Sequence, residues 1–127
     1  MPINVRIDHE RKLVVARVHG TMSDEETFGY QRGVWSDPAV AGYDELVDMT
    51  AVGEIQLPSS ARARELAALS ASMDIPGPET KMAIIAPTDE AFGLGRMFEM
   101  MRELQPGSRR KVRVFRTEAE AMEFLGR

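Results

Sequence analysis

Apolar and polar residues alternate from Ile3 to Asp8, with Ile3, Val5 and Ile7 separated by Asn4, Arg6 and Asp8, the pattern of a half-buried strand. The polar turn His9-Glu10-Arg11-Lys12 leads into a second strand over residues 13–18, rich in β-branched side chains and closed by Gly20. So short a connection predicts an antiparallel hairpin. A helix is expected next. Ser23 with Glu26 three positions on reads as a capping box, and the acidic run Asp24-Glu25-Glu26 suits the positive end of the helix dipole. Thr27, Phe28, Val34 and Trp35 recur at helical spacing until Asp37-Pro38 stops the helix.

Glu45-Leu46-Val47-Asp48-Met49 predicts a short third strand, and residues 50–58, which include Gly53, Ile55 and Leu57, read as an irregular loop. Ser59-Ser60 stands where a cap belongs, ahead of a second helix over residues 61–73 with Ala63, Leu66, Leu69 and Met73 on one face. Asp74-Ile75-Pro76-Gly77-Pro78 can be neither helix nor central strand. Lys81-Met82-Ala83-Ile84-Ile85-Ala86 is almost continuously apolar, as a strand covered on both faces must be. Thr88-Asp89-Glu90 caps a third helix reaching about residue 104, despite Gly93 and Gly95, each of which costs ~1 kcal/mol in a helix interior. Residues 111–116 alternate again as a fifth strand, and Thr117 with Glu120 caps a last helix that ends at Gly126. The order β-β-α-β-α-β-α-β-α implies right-handed crossovers and an α/β fold. Its five-stranded mixed sheet is mostly parallel, with an antiparallel first strand and four main helices.

This order is joined by three local stretches: Tyr43-Asp44-Glu45-Leu46-Val47-Asp48-Met49-Thr50-Ala51-Val52, Ala83-Ile84-Ile85-Ala86-Pro87-Thr88-Asp89-Glu90-Ala91-Phe92-Gly93, and Val112-Arg113-Val114-Phe115-Arg116-Thr117-Glu118. Together they resemble the STAS/SpoIIAA-like superfamily, particularly its stand-alone STAS/SEC14-like members of unassigned function, over nearly the whole chain. The resemblance implies a SpoIIAA-like fold and a non-enzymatic regulatory role exercised by binding another protein. In the anti-sigma-factor antagonists of that superfamily, the third strand ends in Asp-x-Ser/Thr. A loop then leads to Asp-Ser-Ser-Gly at the start of the second helix, where a partner kinase phosphorylates one serine. The comparable stretch here is Leu57-Pro58-Ser59-Ser60-Ala61: both serines match, Pro58 and Ala61 replace the aspartate and the glycine, and the loop is longer. The resemblance therefore carries the location of a site without its phosphoswitch chemistry.

A length of 127 residues suits one domain spanning residues 1–127, and 43% hydrophobic with 28% charged residues is the mix of an ordinary globular protein. The absence of cysteine excludes disulfides, thiolate nucleophiles, iron–sulfur clusters and thiolate zinc sites. With 16 basic and 20 acidic residues the net charge is −4, so nothing global draws the chain to nucleic acid or an anionic membrane. No apolar run resembles a signal core or a membrane span, and a soluble, cytoplasmic protein is expected.

His9 and His19 lie at opposite ends of the expected hairpin, on the order of 20 Å apart at ~3.3 Å per residue, which leaves no catalytic triad. No metal or cofactor site emerges, and no enzyme is expected. Ser59 and Ser60 are a candidate phospho-acceptor or anion site, since a helix N-terminus attracts negative charge; the simpler alternative is an ordinary N-cap. With Asp48, Thr50, Ile55 and Leu57 they would form a partner-binding loop, although the favoured role of Asp48 is structural, accepting backbone N–H groups of that loop.

Gly93-Leu94-Gly95 lacks the glycine spacing of a nucleotide loop and instead permits close helix packing. For Arg109-Arg110-Lys111 the simplest account is protection of a sheet edge, and the second is an acidic partner. The third helix carries more apolar residues than one stripe holds. Leu94, Phe98 and Met101 face the core while Met97 and Met100 spread around the helix, which makes Met97, Met100 and Met101 a candidate homodimer interface or apolar groove. Two functions are therefore in view: a regulatory module for another protein, and a carrier or sensor of a small apolar or lipid-like ligand beside the third helix.

Overall fold

The computed structural model describes residues 3–56, 60–74 and 79–127, without the side chain of Ser60. Five strands, β1 (Ile3–Asp8), β2 (Leu13–Met22), β3 (Asp44–Ile55), β4 (Thr80–Ile85) and β5 (Arg110–Phe115), form one sheet in the order β1-β2-β3-β4-β5. β1 runs antiparallel to β2, and the other neighbours are parallel. The helices are α1 (Asp24–Trp35), α2 (Ser60–Ser72), α3 (Asp89–Glu103) and α4 (Glu118–Leu125), and a 3₁₀ turn at Pro38–Val40 precedes β3. This is the expected element order.

Crossovers of one hand that always add the next strand on the same side leave α1, α2 and α3 on a common face. Period two then sorts the strands. Leu13, Val15, Leu46, Ala83 and Ile85 pack against Ala121 and Leu125 of α4. Val47, Met49, Met82, Ile84, Val112 and Val114 point the other way, toward α3 and its Phe92, Leu94 and Phe98. Gly95 makes this approach possible, because a Cβ there would meet both γ-methyls of Val114 at 3.0 Å.

β3 departs from the expected short strand and irregular loop: it is a single twelve-residue strand reaching Ile55. Its partner β2 also continues past Val18, pairing His19 with Ala51, Gly20 with Val52, Thr21 with Glu54 and Met22 with Ile55. The ladder shifts register between Arg17 and His19 and between Gly20 and Thr21. Gly20, at φ 67°, takes up the left-handed backbone of such an irregularity. It is a bulge residue and not a strand end.

Thr88 and Thr117 cap their helices, accepting from the N–H groups of Ala91 (3.2 Å) and Glu120 (3.3 Å). The capping box expected at Ser23 does not form. The Ser23 side chain makes no cap bond, and the Thr27 hydroxyl donates instead to the Ser23 carbonyl at 2.8 Å. Among the described residues, no helix is long and apolar enough to cross a membrane.

Candidate functional site

Between the sheet and helices α1–α3 lies a cavity of about 110 Å³. Val47 and Ile84 rise from the sheet, Phe28 descends from α1 and Leu66 from α2, and α3 closes the space with Leu94 and Phe98. Small side chains, Ala16 and Ala63, stand on these walls where larger ones would fill the space.

Polar chemistry is concentrated at the deep end. Glu45 is in phase with Val47 and Met49 on the helix-covered face of β3 and is only 3% exposed. The Tyr30 hydroxyl donates to Glu45 Oε2 at 2.7 Å and accepts from Trp35 Nε1 at 3.1 Å. From the opposite side, Arg110 donates to Glu45 Oε1 at 2.7 Å, to the Tyr43 carbonyl at 3.0 Å and to Thr80 Oγ1 at 3.1 Å. Its guanidinium lies 4.1 Å from the centre of the Trp35 ring. The Arg110 charge thus compensates a carboxylate that would be costly to bury alone. Burial, reinforced by the neighbouring Glu45 carboxylate, raises the Tyr30 pKa well above its usual value, so the phenol stays protonated and donates.

Tyr30 and Glu45 belong to the cavity wall, whereas Trp35 and Arg110 line a second cavity of about 240 Å³ with Asp37, Asp74 and Thr80. The quartet is therefore a partition between an apolar and a more polar space. At the other end of the apolar cavity the lining is polar and reaches solvent, with half-buried Asp24 and Arg62 and exposed Gln56. Arg62 Nε is 3.6 Å from Asp24 Oδ2, and the guanidinium lies 4.2 Å over the Phe28 ring.

The residues singled out in the sequence do not gather in one loop. Asp48, Thr50 and Ile55 are strand residues of β3. Asp48 Oδ1 accepts from the Thr50 N–H (2.9 Å) and hydroxyl (2.7 Å), and Oδ2 is 3.8 Å from Arg17 Nε. That pair lies on the face opposite the cavity, since Asp48 is out of phase with Val47 and Met49. Ile55 turns into the cavity wall. Leu57 and Ser59 lie outside the described residues, and Ser60 opens α2 with its side chain likewise outside them.

The three methionines divide. Met97 lines the cavity, Met101 is half-buried away from its wall, and Met100 is 56% exposed. His9 Nδ1 lies 2.8 Å from the Tyr43 hydroxyl at the surface. Among the described residues, no group of three or more His, Cys, Asp or Glu side chains could hold a metal.

Tyr30, Trp35, Glu45 and Arg110 were not expected at a site. Arg110 was read as edge protection, yet it is largely buried behind Glu45 and Trp35. One sequence signal was present: a carboxylate at Glu45 shares the period of Val47 and Met49, and a charge on an apolar face needs a partner.

No protein-family model matches the sequence, and no curated protein matches it. Among the solved structures that do match is an uncharacterized protein of the DUF3478 family from Shewanella loihica PV-4, itself described as having a SpoIIAA-like fold. It is 16% identical, with a TM-score of 0.57 over 97% of this chain and 91% of that one. The chain has a SpoIIAA-like fold. The architecture expected from the resemblance is the one observed, including the antiparallel first strand beside an otherwise parallel sheet. In this SpoIIAA-like chain the apolar cavity lies under the three helices that share a face, and the start of α2 borders its exposed end.

Proposed function

We propose that this SpoIIAA-like chain is a non-enzymatic binding module that carries or senses a small apolar ligand in the cavity under α1–α3. One observation carries the reading: a space of about 110 Å³ walled by aliphatic and aromatic side chains. At about 24 cal/mol per Å³, apolar atoms that fill such a volume are worth at most roughly 2–3 kcal/mol. An engineered apolar cavity of about 150 Å³ stays dry and takes up benzene or xenon. A binding role is favoured because the two ionisable groups deep in the wall are paired, the Tyr30 hydroxyl with Glu45 and Glu45 with Arg110.

Native mass spectrometry of protein isolated from its own cells, repeated after organic extraction, tests this. A bound small mass that extraction removes, with a lowered thermal midpoint, is expected; the bare chain mass before and after contradicts it.

A second reading, a regulatory module that meets another protein or a second copy of itself, draws support from α3. Met100 and the adjoining Leu104 are 56% and 81% exposed, apolar surface that an associated chain would cover.

A further inference from the structure

At the Tyr30–Glu45 end of the cavity the donors are already committed elsewhere. The Tyr30 hydroxyl gives its proton to Glu45 Oε2, and the Trp35 N–H behind it goes to the Tyr30 oxygen. The N–H groups of Arg110 serve Glu45, Tyr43 and Thr80. Gln31, also on the wall, directs one amide N–H at Met73 Sδ (3.5 Å), and the Thr27 hydroxyl is given to the Ser23 carbonyl (2.8 Å). What remains toward the space is aliphatic and aromatic surface with a carboxylate already neutralised by arginine.

A ligand oxygen or nitrogen that needs a proton would find none at the Tyr30–Glu45 end, and an anionic group there would face the Glu45 carboxylate. A buried acceptor without a donor is penalised as any unpaired polar group is. The volume sets a second limit, because it is smaller than the benzene-sized engineered cavity of about 150 Å³.

Taking the cavity as the ligand site, we infer that the buried part of the ligand is a neutral hydrocarbon group of about five or six heavy atoms without a hydrogen-bond acceptor. Any polar end projects to the exposed side, where Asp24, Gln56 and Arg62 meet water. Entry with a carboxylate or carbonyl leading toward Tyr30 and Glu45 is disfavoured, as is full burial of a long acyl chain.

Cyclopentane and tetrahydrofuran separate these alternatives, being rings of equal size that differ by one acceptor oxygen. The chain labelled with ¹³C at its methionine methyls reports the site directly: Met22, Met49, Met82 and Met97 line the cavity, and exposed Met100 is the internal control. Cyclopentane is expected to shift the four cavity methyls saturably and leave Met100 still, with tetrahydrofuran at least about tenfold weaker and naphthalene without effect on them. Tetrahydrofuran binding as tightly as cyclopentane would reveal a donor facing the ligand, and a naphthalene shift of the same methyls would break the size limit. Either overturns this inference and leaves the apolar-site reading standing. Failure of all three probes to move the four methyls removes both.

Discussion

The Tyr30 hydroxyl and the Glu45 carboxylate meet at 2.7 Å at the deep end of the cavity, α1 donating to β3 while Arg110 of β5 holds the second carboxylate oxygen. Three elements far apart in the chain are fixed by this contact, and it sets how α1 stands over the sheet. Its strength comes from burial: in water the same pair would be worth little, whereas here each group has exchanged solvent for fixed protein partners.

Removing the hydroxyl strands both neighbours. In Tyr30→Phe, Glu45 Oε2 loses its donor and Trp35 Nε1 its acceptor. A loss of about 1–3 kcal/mol is expected. It should appear as a lower urea midpoint together with altered emission from Trp35, the single tryptophan. Wild-type stability in this variant would mean that the bond contributes nothing net.

Alkaline pH should act through the same phenol. Its folded pKa is raised, chiefly by burial and then by Glu45, so its contribution is complete below the unfolded tyrosine pKa of about 10 and is lost as pH rises above it toward the folded value. The unfolded chain ionises first and is thereby favoured. The stability advantage of wild type over Tyr30→Phe should be flat from pH 7 to 9 and shrink by about 1.4 kcal/mol by pH 11. Chemical denaturation of both proteins across that range measures it, and an advantage that grows with pH is the opposite sign.

Gly93 and Gly95 should respond oppositely to alanine. Nothing lies within 4 Å of a Cβ at Gly93, so Gly93→Ala gains helix propensity, up to ~1 kcal/mol. At Gly95 the new methyl meets Val114 at 3.0 Å, and overpacking of about 1–3 kcal/mol outweighs that gain. Thermal unfolding of the two single variants decides, with Tm expected to rise for the first and fall for the second.

This glycine pair also shows what the sequence could reveal. Close packing was legible as a reason for small residues in α3, but which glycine needed it depends on Val114, a partner supplied by another strand. β2 and β3 were cut short because Gly20 and Gly53 read as breakers, whereas a bulge at Gly20 lets the ladder run on to Ile55. Element order and the buried character of β4 were plain because both are local patterns. The Tyr30–Glu45–Arg110 cluster was not, since its members are brought together by the fold and by no spacing along the chain. Only Glu45, out of place on an apolar period, announced that something would have to answer it.

Met97 and Met100 provide a paired test of the α3 surface. Met97→Glu places a charge on the cavity wall and should cost several kcal/mol, or open the cavity to water. Met100→Glu replaces an exposed side chain and should leave the unfolding midpoint within about 0.5 kcal/mol of wild type. If α3 also meets a second copy through Met100, sedimentation equilibrium should find a wild-type dimer that Met100→Glu dissociates. A wild-type monomer at micromolar concentration rules that association out.

The claim that the cavity holds an apolar ligand is met most directly by a crystal structure of the protein taken from its own cells without extraction. Continuous density among Phe28, Leu66 and Phe98, lost when Ala63→Phe fills the space, is the expected result. A cavity holding only ordered waters bonded to Tyr30 or Glu45 would contradict it.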